Sequence, residues 1–201
     1  MRQIVIDFGE HVAAETLVEM LNKNKTKYKE YSVFVPLSRQ QKGIDLILYK
    51  NGSPKIATIQ VKYSRSYAGS KPKGHIRTNF LTYNTFSIND EAKADFYLIL
   101  GNYLATEEQF DYNKGFALNK VDYKLIVLLY TYEEMKEELS KVRQVKTEKQ
   151  DSRFSYRFRD EQDIEMDRGF VEGYNTLNNG SRKRDIFVLE KRKQAIIDFF
   201  D

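Results

Sequence analysis

Two apolar runs joined by a strong turn constrain this chain most. Ile44 to Tyr49 and Ile56 to Tyr63 flank Lys50-Asn51-Gly52-Ser53-Pro54-Lys55. Runs of this length, bounded by a Gly/Pro/Asn cluster, predict two strands and a β-hairpin. The runs carry Asp45, and Gln60 and Lys62, among apolar neighbours. A carboxylate and an ammonium group in such strands are costly unless something pairs them. Strand side chains alternate between faces. If the hairpin is symmetric about the Gly52–Ser53 bond, Asp45 falls opposite Gln60, and Asp45, Gln60 and Lys62 share one face.

A helix is expected before the hairpin, over residues 8–22. Ala13, Ala14, Leu17, Val18 and Leu21 recur at helical spacing, Asp7 is a candidate cap, and Glu10 lies in the first turn. Counted from Glu10, the residues Ala14, Leu17 and Leu21 lie on its own face, so Glu10 begins the stripe that packs on the sheet. Glu15, Glu19 and His11 lie off that stripe. Further strands are expected at Tyr31–Val35, Phe96–Leu100 (ended by Gly101), Lys124–Tyr130 and Asp185–Glu190. Thr131–Arg143 reads as a helix opened by a Thr131/Glu134 capping box, and Lys191–Phe200 as a last helix. Residues 64–79 read as a polar loop, and 144–183 carry no clear pattern. The order predicts an α/β or α+β domain, a central mixed β-sheet flanked by helices.

Composition narrows the chemistry. The 201 residues suit one domain, with a core over about residues 1–135 and a C-terminal region over about 136–201 for recognition or dimer contacts. Cysteine is absent, which excludes disulfides, zinc–thiolate sites and thiol catalysis. Two histidines, His11 and His75, are too few for a multi-histidine metal site. The net charge of +4 is mildly basic. Neither a membrane-length apolar run nor a secretory signal is visible, so a cytoplasmic location is expected.

Oxygen ligands and a lysine suit phosphodiester hydrolysis. Asp45 would be the primary ligand of Mg²⁺, joined by the Gln60 side-chain oxygen and the Val61 backbone carbonyl. Glu10 would bind a second ion or a metal-bound water. Lys62 would orient the attacking water and stabilise charge on the phosphate.

Asp45, then Gln60-Val61-Lys62, with Glu10 on a preceding helix, resembles the PD-(D/E)XK nuclease superfamily over roughly residues 8–63. That group includes type II restriction endonucleases, Holliday-junction resolvases and some homing endonucleases. Two positions depart from the pattern: Ile44 stands where a proline is usual, and Gln60 replaces the second acid. A Gln-x-Lys variant is known among active members. The resemblance implies a restriction-endonuclease-like core, with Glu10, Asp45 and Gln60 as metal-site residues and Lys62 as the catalytic lysine. It implies a Mg²⁺-dependent DNA endonuclease, with Mn²⁺ able to substitute. A sequence-specific type II restriction enzyme is the first reading. A homing endonuclease, a junction resolvase, an inactive DNA-binding module and an RNA-directed nuclease are the alternatives.

The expected partner is double-stranded DNA, and cutting two strands suggests a homodimer. From Lys62 to Arg77 the chain holds Arg65, Lys71, Lys73, His75 and Arg77 and no acid. Arg39 and Lys42 belong to a second basic region. Such residues supply phosphate contacts. Base readout is expected from Arg39, Gln40 and Gln41, or from Asn175 to Arg184.

Overall fold

The computed structural model describes residues 8–23, 30–36, 43–68, 79–83, 88, 93–104, 110–111, 116–117, 123–140, 142, 149, 151, 153–166 and 183–201. Among these residues the fold is mixed α+β, built on a central mixed sheet with three α-helices.

Helix α1 (Phe8–Asn22) buries Ala13, Leu17, Met20 and Leu21 and leaves Glu15 and Glu19 exposed. Its last residue ties it to the sheet. Asn22 accepts from the amides of Glu30 and Tyr31 at 2.8 and 3.1 Å and donates to the Tyr31 carbonyl at 3.1 Å. Strands β1 (Tyr31–Phe34), β2 (Leu46–Lys50) and β3 (Ile56–Ala68) follow as an antiparallel meander. The β2–β3 turn passes through Gly52 at φ +82°, a left-handed value that glycine adopts at little steric cost. The register pairs Leu46 with Ile59 and Tyr49 with Ile56, so the hairpin is centred on the Gly52–Ser53 bond.

Strand β3 then runs parallel to β5 (Phe96–Leu104), and β8 (Tyr123–Thr131) closes the sheet antiparallel to β5. Beyond this pairing, Ser66–Ala68 of β3 pair with β4 (Asn79–Tyr83). That strand continues to β9 (Phe154–Phe158) and β10 (Ile164–Met166). Two short strands, β6 (Phe110–Asp111) and β7 (Phe116–Ala117), pair with each other.

Alternation along β5 and β8 sorts the core into two clusters. Phe96, Leu98, Leu100, Val127 and Leu129 face α1 and the last helix, α3 (Leu189–Phe200). Tyr97, Ile99, Ile126, Leu128 and Tyr130 face β4, β9, β10 and α2 (Tyr132–Ser140). The smaller group of strands therefore packs across the second face of β5 and β8. The Tyr83 hydroxyl donates to the Leu100 carbonyl at 2.9 Å, and the Tyr130 and Tyr156 hydroxyls lie 3.1 Å apart.

The structure revises several expected boundaries. Residues 64–68 belong to β3, because their backbone pairs with β5 and then β4. Gly101 sits inside β5, where a Cβ would collide with the Leu81 side chain packed over it. Residues 185–190 are no strand. Asp185–Phe187 form one 3₁₀ turn, and α3 begins at Leu189. The Thr131 cap is as expected. The Thr131 amide donates to Glu134 Oε2 at 2.9 Å, and the Glu134 amide donates to Thr131 Oγ1 at 3.4 Å.

Candidate active site

Ala57, Ile59 and Val61 point into the core beneath α1. Thr58, Gln60 and Lys62 therefore share the opposite face of β3. Each of the three is half-buried.

Asp45 lies one residue ahead of β2 rather than inside it. The last β2–β3 pair is Leu46 with Ile59, and from Gln60 to Arg65 the paired neighbour of β3 is β5. Asp45 bridges the divergence. Its amide donates to the Ile59 carbonyl at 2.9 Å, and its Oδ2 accepts from the Val61 amide at 2.7 Å. The carboxylate thus stands where a β2 carbonyl would have stood had the ladder continued. A strand residue directs its N–H and C=O to the same side. The Val61 carbonyl therefore points to this same edge, beside the carboxylate. The sequence expectation had Asp45 on the Gln60/Lys62 face; the structure puts its carboxylate at the strand edge, against the residue between those two.

Glu10 is half-buried in the first turn of α1, on the other face of the sheet. Gly9 is buried against Tyr63, the residue after Lys62, so the start of α1 lies at the level of Lys62 along β3. His11 points to solvent and meets Glu15 at 3.2 Å. The expected DNA contacts Arg39, Lys42, Lys71, Lys73, His75 and Arg77 lie outside the described residues, as do Gln40, Gln41 and 175–182. Arg65 is a strand residue, and its side chain is likewise outside the description.

Arg184 is a correction. It was expected among the base-reading candidates, but it is 1% exposed and forms a two-pronged ion pair with Glu138, also 1% exposed. Arg184 Nε donates to Glu138 Oε2 at 2.6 Å, and Nη2 to Oε1 at 3.3 Å. Lys183 is engaged with Asp163 at 2.6 Å and Glu165 at 3.3 Å.

Sequence reading also missed Asp95, which anchors the strand that carries the site. Its Oδ2 accepts from the Thr58 amide at 2.8 Å and from the Thr58 hydroxyl at 2.7 Å. The Asp95 amide donates back to the Thr58 carbonyl at 2.9 Å. The available signal was a polar residue directly before the apolar run at Phe96.

Among the described residues no three His, Cys, Asp or Glu side chains gather into a metal-binding group. Every donor the candidate set offers is a hard oxygen: two carboxylates, one amide and one backbone carbonyl. Mg²⁺ is commonly held by one or two carboxylates plus substrate phosphate, keeping several waters. The residues present fit such an ion and do not fit zinc or copper. No helix of the described residues is long and apolar enough to cross a membrane.

The chain matches no protein-family model, and no curated protein or solved structure is significantly similar to it.

Proposed function

We propose that the chain is a Mg²⁺-dependent DNA endonuclease of the PD-(D/E)XK type, in its Gln-x-Lys form. One observation carries the reading: the 2.7 Å hydrogen bond from Val61 to Asp45, at the point where β2 leaves β3. It sets a carboxylate and a backbone carbonyl side by side at the edge of β3, with Gln60 and Lys62 on the flanking residues.

A bound divalent ion would supply charge neutralisation at the phosphate and a more acidic water. Asp45 and the Val61 carbonyl would hold it, with Gln60 and Glu10 as further oxygen donors. Lys62 would hold the phosphate through its ammonium group and stabilise the charge that builds up as the P–O bond breaks. Asp95 keeps β3 in register beneath these groups.

Among biological roles the proposal favours a sequence-specific type II restriction enzyme acting as a homodimer on double-stranded DNA. A homing endonuclease or a junction resolvase would use the same chemistry. A second reading, a DNA-binding module without activity, has its own observation in Gln60 and the two-carboxylate set.

Nicking of supercoiled plasmid in Mg²⁺ separates the two. Cleavage by the wild-type protein, lost in Asp45→Ala and in Lys62→Ala, supports the enzyme. Binding without cleavage supports the module, and full activity in Asp45→Ala would refute the site.

A further inference from the structure

We propose that Gly9 is a positioning residue of this site: by lacking a side chain it seats the first turn of α1 against β3, so that Glu10 serves the same divalent ion as Asp45. The inference rests on the nuclease reading above.

A glycine in a helix is less favourable than alanine, by up to roughly 1 kcal/mol in the helix interior. Backbone conformation does not demand it here, since the positive-φ glycines are Gly43 and Gly52. Proximity does. A Cβ on Gly9 would lie 2.5 Å from the Tyr63 Cβ and 3.0 Å from its Cγ. The Tyr63 Cβ is fixed to the strand, and the strand is held. Tyr63 pairs with Leu100 of β5, and its hydroxyl accepts from Asn102 Nδ2 at 3.1 Å. A side chain at position 9 would therefore displace the helix rather than the sheet. Restoring ordinary carbon contact needs a shift of about 1 Å.

That shift falls where it matters. Glu10 is the next residue, and Tyr63 lies two positions along β3 from Val61, where Asp45 is pinned. Two strand residues span about 7 Å, so the first turn of α1 meets β3 about that far along the strand from the residue that pins Asp45. A misplacement of about 1 Å at a reacting centre can cost on the order of 100-fold in rate.

The test reads Mn²⁺ binding by electron paramagnetic resonance, counting only the binding that Asp45→Ala abolishes, alongside plasmid nicking. Gly9→Ala should weaken that binding about 10- to 100-fold, as displaced supporting groups do. Leu17→Ala loosens the same helix away from its first turn and should leave Mn²⁺ affinity unchanged. Wild-type affinity in Gly9→Ala, or an equal loss in Leu17→Ala, overturns the proposal. Should Gly9→Ala fail to fold, the double variant Gly9→Ala/Tyr63→Gly decides, since it removes the colliding Cβ. Mn²⁺ affinity near wild type supports the proposal, and affinity as low as that of Glu10→Gln overturns it. A wild-type protein that neither binds Mn²⁺ nor nicks DNA overturns the nuclease reading and this inference together. An active wild type with an unaffected Gly9→Ala overturns this inference alone.

Discussion

Asp45 and Val61 are joined by a 2.7 Å hydrogen bond from the Val61 amide to the Asp45 carboxylate. The bond has two consequences. It satisfies a strand amide that β2 no longer reaches, and it fixes the orientation of the carboxylate. The two separate by substitution. Asp45→Asn keeps an oxygen for the Val61 amide and removes the charge. It should keep stability within about 0.5 kcal/mol and lose nicking. Asp45→Ala should lose nicking and also about 1–3 kcal/mol, because it leaves the Val61 amide without this acceptor. Urea denaturation beside the nicking assay checks both.

The Glu138–Arg184 pair should behave as a buried ion pair does. Both side chains are 1% exposed and lie close to Tyr130 and Tyr156. Removing one partner, as in Arg184→Met, leaves a buried charge and should cost about 3–5 kcal/mol. The double variant Glu138→Met/Arg184→Met should regain most of that loss. Chemical denaturation of the three proteins measures it. Equal losses in the single and double variants would contradict the account.

The β9–β10 hairpin should loosen in acid. A hydrogen bond from Lys183 holds the Asp163 carboxyl below its usual range, and one from Arg157 does the same for Glu165. Folded-state values below the unfolded ones mean that the stabilisation is present above the unfolded carboxylate pKa values. It is lost as pH falls through the lower folded values, in the region below about pH 4. Both carboxylates are partly exposed, so salt will screen the effect. Lys183→Met should flatten the acid limb of the stability profile, and unfolding midpoints from pH 2 to 6 would show it.

Thr131→Ala removes one half of the capping box at the start of α2. The expected loss is about 1 kcal/mol. Because Glu134 also bonds Arg192 of α3 at 2.6 and 2.7 Å, Glu134→Ala should cost more than Thr131→Ala, since it unpins α3 as well.

The hairpin was legible because its turn is chemically marked. Asn51-Gly52-Ser53-Pro54 fixes the centre, and register follows from counting outward. Helix α1 was legible from its apolar spacing. The extension of β3 through Ser64, Arg65 and Ser66 was not, because Ser64 and Arg65 are strand by backbone pairing to β5 and Ser66 by pairing to β4, and the three carry no apolar pattern. Gly101 misled in the same way: glycine usually ends a strand, but here it makes room for Leu81. The alternation of Phe154, Tyr156 and Phe158, all three buried in β9, was missed because it lies within a polar stretch that shows no clear pattern as a whole.

At the site, the side chains on the hairpin could be named from sequence, but the strand-edge position of Asp45 could not. It depends on where β2 stops pairing, one residue short of the symmetric ladder. Arg184 shows the converse limit. A charged residue in an Arg- and Asn-rich tract reads as surface, and only tertiary packing reveals the carboxylate that draws it inside.

The most direct test is digestion of a long natural duplex DNA by the wild-type protein and by Asp45→Asn, in Mg²⁺ and in chelator, resolved on a gel. Discrete fragments from the wild type in Mg²⁺ alone, and intact DNA with Asp45→Asn, are the predicted result. Intact DNA with the wild type, or the same fragments from Asp45→Asn, would contradict the account.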